Sequence, residues 1–253
     1  MMVPILNAAD IEKMKTSGLL LAEIFEIIAP RVAAGVTTAE LDSLIEQEIS
    51  SRTMIAGSMG YMGYKHVSCI SLNDEVVHGI PSAKRIIKAG DIVKVDVCAA
   101  YQGFFADMAR TFLIEPVNKQ VQEFAAVAYA ALDRGIEKAV AGNRLSDISA
   151  AIQLEVERHG FGVVRDFAGH GIGRAMHEDP EILNYGVPGR GPRLLHGMGL
   201  ALEPMITMKG YGVFVAQNGW TAKTVDGSLA AHVEDTVIIT DNGPMIITRP
   251  YRG

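Results

Sequence analysis

Residues 93–109 read VKVDVCAAYQGFFADMA, and the placement of acids in that stretch decides the fold. Val93, Val95 and Val97 alternate along one face of a strand, with Asp96 on the opposite face. Gln102-Gly103 then reads as a turn, and Asp107 follows mid-strand among Phe105, Ala106, Met108 and Ala109. Two antiparallel neighbours, each carrying one acid among apolar residues, are the expectation. Further along, Glu203 ends the run Gly199-Leu200-Ala201-Leu202, and His232-Val233-Glu234 leads into Thr236-Val237-Ile238-Ile239. Any one of these acids could be a strand residue facing solvent. Four together are harder to place. Carboxylates brought close repel, raise one another's pKa, and need bound cations or retained protons. Oxygen-rich ligation suits Mn²⁺, Fe²⁺ or Co²⁺.

Outward from these strands, the chain repeats itself. A helix is expected over 10–30 with Asp10 as its N-cap, and a second after Gly35, where Thr37 and Glu40 have capping-box spacing. Short strands broken by glycine occupy 68–112; helices return at 121–141 and near Ser146, followed by Gly-rich strands through Ile247. An offset of 107 residues carries Gly35 to Gly142, Leu41 to Ile148, Ile45 to Ile152, Gly90 to Gly197 and Asp96 to Glu203. One domain over residues 1–253 is expected, with two similar α+β halves at about 10–115 and 120–248. If the halves pack about a pseudo-twofold axis, the four carboxylates converge.

Composition excludes several classes. The chain has 253 residues, 49% hydrophobic and 21% charged, which is globular rather than disordered. A net charge of −6 argues against nucleic acid or anionic membrane as the main partner. No apolar run approaches a bilayer span, and the N-terminus shows no secretory signal. Cys69 and Cys98 give neither a disulfide framework nor a C-x-x-C knuckle, so a reduced, cytoplasmic protein is expected. The glycines around His170 fail the dinucleotide spacing, since Arg174 and Met176 stand where the third would fall, and neither a phosphate loop nor a Gly-x-Ser-x-Gly elbow is present. Pro180 excludes a helical zinc-protease motif at His177-Glu178.

Of seven histidines, His170 stands out between Gly169 and Gly171, which would let the backbone approach a ligand closely. His78 and His177 share the pattern His-x-x-Pro. His196 and His232 are weaker candidates, and the others read as surface or core residues.

Asp96, Asp107, His170, Glu203 and Glu234, in that order and spacing, resemble the five metal ligands of the methionine aminopeptidases. The stretch 167–185, FAGHGIGRAMHEDPEILNY, is similar to the signature of their type I branch, and the resemblance runs from Ile11 to about Thr248. It implies the pita-bread fold: two pseudo-symmetric halves around a curved antiparallel sheet, with two divalent ions (Co, Mn, Fe or Zn) between them. Asp96 would hold one ion alone, Asp107 and Glu234 would bridge, and His170 and Glu203 would complete the second. A water shared by the ions would attack, with Glu203 as proton acceptor, His177 on the oxyanion and His78 on the scissile amide. Tyr61, Tyr64, Cys69, Met176, His177, Met205 and Trp220 would line the methionine pocket.

The resemblance also implies a monomer that acts in the cytoplasm on the N-termini of nascent chains, at the ribosome, with no direct contact to nucleic acid or membrane. Substrates would carry a small second residue. An Xaa-Pro-specific relative or a non-catalytic peptide-binding member is the alternative; the first usually carries a large N-terminal domain, and the second typically loses ligands. The chain departs from the pattern at Lys65-His66, Met176, Ala201 and Asp235.

Overall fold

The structure is a computed structural model that describes residues 3–249. Its helices are α1 (Ala8–Ile28), α2 (Thr38–Ser51), α3 (Lys119–Lys138) and α4 (Leu145–Glu157). Strands β1 (Ile55–Ala56), β2 (Cys69–Leu72), β3 (Ile92–Tyr101) and β4 (Phe104–Leu113) belong to the first half of the chain. In the second lie β5 (Gly162–Val163), β6 (Gly169–Gly171), β7 (Glu178–Ile182), β8 (Gly199–Leu202) and β9 (Met205–Thr207). They are followed by β10 (Val213–Val215), β11 (Ala222–Thr224), β12 (Ala230–His232), β13 (Glu234–Thr240) and β14 (Gly243–Ile246).

Gln102 and Gly103 both take left-handed backbone, at φ 50° and 80°, and close β3 onto β4 as a two-residue hairpin. Positive φ at both central positions matches the right-handed twist of the strands, which is why a Gln-Gly pair can serve here. The main antiparallel sheet runs β1-β3-β4-β13-β8-β6-β7, with β2 on β3 and β14 on β13. A second sheet, β12-β9-β5, and the ribbon β10-β11 complete the strands.

Helices cover one face of the main sheet. Val93, Val95 and Val97 meet Leu21, Ile24, Leu41 and Ile45 of α1 and α2 in one core. Leu200, Leu202, Val237 and Ile239 meet Phe124, Leu132, Ile148 and Ile152 of α3 and α4 in another. Each such side chain contributes about 1.5–3 kcal/mol on burial, so the helices hold the sheet's curl and leave its other face for the acids. Gly135 lets α3 approach α4, since a Cβ there would meet Ile152 at 2.9 Å.

The Thr37–Glu40 capping box forms as expected. At α1 the cap is Asn7 instead of Asp10: Asn7 Oδ1 accepts from the Asp10 N–H at 3.0 Å, while the Asp10 carboxylate pairs with Arg174 at 2.9 Å. A distant arginine outcompetes the local cap, and the helix begins two residues earlier than its apolar periodicity suggests.

The 107-residue offset places α2 on 145–158, where α4 runs Leu145–Glu157, and the start of β3 on the start of β8. Beyond that the correspondence fails. Pro204, which has no N–H for a ladder, follows Glu203, and the chain leaves the main sheet at β8 to enter the small sheet as β9. It returns at Val233, between β12 and β13. The ribbon β10-β11 fills the excursion, which makes the second strand pair longer in sequence than the first.

Candidate metal centre and active site

Register places the acids together. Asp96 pairs with Ala109, Cys98 with Asp107 and Glu234 with Ala109, so Asp96, Asp107 and Glu234 share one face of three adjacent strands. Glu203 comes from the β8–β9 corner and His170 from the neighbouring β6, opposite Ala201. His170 Nε2 lies 4.0 Å from Asp107 Oδ2 and 3.7 Å from Glu203 Oε1. Two groups of three have ligand atoms all within 4.8 Å of one another: Asp107, His170 and Glu234, and Glu203, His232 and Glu234.

His170 is held in a particular tautomer. Its Nδ1–H donates to the Gly171 carbonyl at 2.9 Å, which leaves the Nε2 lone pair facing the carboxylates. The flanking glycines also serve strand packing. A Cβ at Gly169 would strike the Ala201 carbonyl oxygen, and one at Gly171 the Asp179 carbonyl oxygen. Neighbouring strands approach closely at both positions, and Gly169 also lines a cavity above the centre.

The cluster is electrostatically expensive as it stands. Burial pushes Asp107 up to about 6, although Cys98 and His232 partly oppose this. Burial, and then neighbouring carboxylates, raise Asp96, Glu203 and Glu234 above the ordinary carboxylate range. Burial also holds His170 down at about 4. Among the described residues none of the four carboxylates has a Lys or Arg partner; Asp107, Glu203 and Glu234 meet only imidazoles. Glu234 Oε1 and His232 Nε2 are buried with no hydrogen-bond partner among the described residues. Buried polar groups are otherwise almost always paired. Divalent cations satisfy both the charge and the orphaned atoms, and a carboxylate–imidazole set suits Mn, Fe, Co or Zn.

A cavity of about 500 Å³ opens above this centre. Asp96, Asp107, His170 and Glu203 line it together with His78 and every residue expected for the methionine pocket: Tyr61, Tyr64, Cys69, Met176, His177, Met205 and Trp220. Glu234 lies beneath and does not line it. Tyr64 meets Trp220 edge-on at 4.9 Å, and its hydroxyl donates to the Ser68 carbonyl at 2.9 Å, so one wall is aromatic and fixed. His177 packs edge-on against His170 at 4.4 Å and Tyr61 at 5.1 Å. His78 has left-handed backbone, φ 59°, where a non-glycine residue is uncommon, and meets Phe167 at 5.5 Å. Burial lowers the pKa of both imidazoles, that of His78 to about 4, so both are neutral at pH 7.

Sequence reasoning undervalued His232. It is 1% exposed, and its Nε2 lies 3.4 Å from Glu203 Oε2 and 3.9 Å from Glu234 Oε2. The available signal was its position two residues before Glu234, hence on the same side of an extended chain. The departures at 65–66 and 235 face elsewhere: His66 Nδ1 bonds Asp42 at 2.8 Å, and Asp235 pairs with Arg110 at 2.6 Å behind the centre.

Carboxylates and imidazole gathered under an open cavity on a curled antiparallel sheet define a metal-dependent hydrolase. Residues 12–241 match metallopeptidase family M24, and the chain belongs to that family. It is 49% identical over 247 residues to a methionine aminopeptidase of Clostridium acetobutylicum, covering 98% of this chain and 99% of the relative. The crystal structure of a methionine aminopeptidase from Thermotoga maritima superposes with a TM-score of 0.96 at 42% identity, covering 98% of this chain and all of the other. An Xaa-Pro dipeptidase from Bacillus anthracis shares the pita-bread fold at 22% identity and TM-score 0.77, over 63% of its own length.

Proposed function

We propose that this chain removes the N-terminal methionine from peptides whose second residue is small, using two divalent ions held by Asp96, Asp107, His170, Glu203 and Glu234. The observation that carries this reading is the shared cavity: these ligands lie beside a soft pocket of Tyr64, Cys69, Met205 and Trp220, surface suited to a thioether. Ions bound there supply Lewis acidity toward a carbonyl and make water nucleophilic at neutral pH.

The remaining work falls to the protein. Glu203, at the cavity edge and raised in pKa by burial, accepts a proton from water and passes it to the leaving amine. His177, neutral and held by two aromatic contacts, donates to the oxyanion through a ring N–H. His78 hydrogen-bonds the scissile amide, and the pocket walls exclude water from the methionine side chain.

The substrate is the exposed N-terminus of a nascent chain, met in the cytoplasm at the ribosome by a monomer that touches neither nucleic acid nor membrane. A net charge of −6 argues against a nucleic-acid partner, and among the described residues no helix is long and apolar enough to cross a membrane. The test is release of methionine from Met-Ala-Ser by protein loaded with Co²⁺, Mn²⁺, Fe²⁺ or Zn²⁺, compared with Ala-Pro. Metal-loaded protein that leaves Met-Ala-Ser intact with all four ions overturns the reading.

A further inference from the structure

We infer that His232 is a sixth protein ligand of the centre, joining Glu203 and Glu234, so that the two ions together receive two imidazoles. The inference rests on the reading of this cluster as a dimetal site, and adds to it a donor that the five-residue set lacks.

Three observations carry it. The ligand atoms fall into two tight triads, Asp107–His170–Glu234 and Glu203–His232–Glu234, that share Glu234. Each triad contains one nitrogen and two carboxylates. Second, His232 Nε2 is buried without a hydrogen-bond partner among the described residues, as is Glu234 Oε1. An imidazole that is 1% exposed and aimed at two carboxylates needs something between them. Third, the spacing suits an ion better than a direct bond. Nε2 stands 3.4 Å from Glu203 Oε2, outside the usual N–H···O range. Ligand atoms about 2.1 Å from a tetrahedral ion lie roughly 3.4 Å from each other.

The backbone is built to keep His232 there. Its N–H donates to Thr111 Oγ1 at 3.2 Å, and its carbonyl accepts from the same hydroxyl at 2.7 Å. Tyr129 in turn donates its hydroxyl to the Thr111 carbonyl at 3.1 Å. The residue is also paired with Met205 across β12 and β9, at the corner beside Glu203, so the two places where the chain changes sheets face each other across the second triad. A second nitrogen donor shifts the centre toward Co²⁺, Zn²⁺ or Fe²⁺ and away from Mg²⁺ or Mn²⁺.

X-ray absorption fine structure at the Zn or Co edge, on protein loaded with two ions, counts imidazoles directly. Wild type should average about one imidazole per ion, and His232→Gln about one half. Calorimetry should show the variant's affinity for one of two Zn²⁺ ions reduced about 10–100-fold, with a smaller loss for Mn²⁺. Circular dichroism of the metal-free variant checks its fold, and if it fails to fold the wild-type count alone decides. A wild-type average of one half with two ions bound overturns the inference while sparing the dimetal centre. Failure to take up a second ion overturns both.

Discussion

Arg110 holds Asp235 from behind the metal centre. Its Nη2 donates to Asp235 Oδ1 at 2.6 Å, and its Nη1 donates to the Glu234 carbonyl at 2.5 Å. Arg249 Nε and Thr248 Oγ1 complete the carboxylate's shell at 2.6 and 2.8 Å. The side chain of Asp235 is wholly buried and, by strand alternation, points away from that of Glu234. The departure at position 235 therefore anchors the strand that carries a ligand instead of altering the ligands themselves.

Removing that anchor should be costly. Asp235→Ala leaves Arg110 facing an uncompensated buried position, with an expected loss of about 3–5 kcal/mol in unfolding free energy. Urea unfolding of the metal-free protein reads this directly. An unchanged midpoint would mean that Arg110 and Arg249 find other partners at no cost.

Glu203→Gln should keep the fold and reduce kcat far more than KM. An amide cannot take a proton from water, and such a transfer typically contributes ~10²–10⁴-fold to rate. Steady-state kinetics on Met-Ala-Ser under one metal decides. An unchanged kcat would move proton transfer to Asp107 or another carboxylate of the cluster.

Metal binding should release protons, more at about pH 6 than at pH 8. Burial raises all four carboxylates, Asp107 to about 6, so metal-free protein at pH 6 retains protons that ligation must displace. Affinity therefore climbs as pH rises from 6. His170, neutral above about 4, contributes none of them. Calorimetry in two buffers of different ionisation enthalpy counts the protons. Zero release at pH 6 would show the carboxylates already ionised before the metal arrives.

What could be read in the sequence was what short range encodes. The Thr37–Glu40 box, the Gln102-Gly103 hairpin and the apolar alternation around Asp96 are local, and each forms as its residues dictate. The four carboxylates were legible because acids among apolar strand residues conflict with burial, and His170 because glycines flank it; the family resemblance joined them into one ligand set. Tertiary competition was not legible. Asp10 loses its cap to Arg174, more than 160 residues away, and Asp235 turns inward because Arg110 and Arg249 await it. His232 was obscured because the chain changes sheets beside it, so its two-residue spacing from Glu234 was not enough to place it.

The last prediction concerns the residue after the methionine. His78 and His177 both line the cavity, and neither ring is free to swing: His78 is wedged against Phe167 and Trp220, at 5.5 and 6.4 Å, and His177 against His170 and Tyr61, at 4.4 and 5.1 Å. A second tether fixes the first imidazole, since Thr221 Oγ1 donates to the His78 carbonyl at 3.2 Å. If the two imidazoles flank the scissile bond, the second side chain sits between walls that cannot retreat, while the third residue onward stays in solvent. A large second residue must then push the carbonyl off its position, and a misplacement of ~1 Å can cost ~10²-fold in rate. Met-Ala-Ser should exceed Met-Leu-Ser by about that factor in kcat/KM, measured under one metal. Equal values would mean that the leaving-group side is open and that these histidines do not flank the bond.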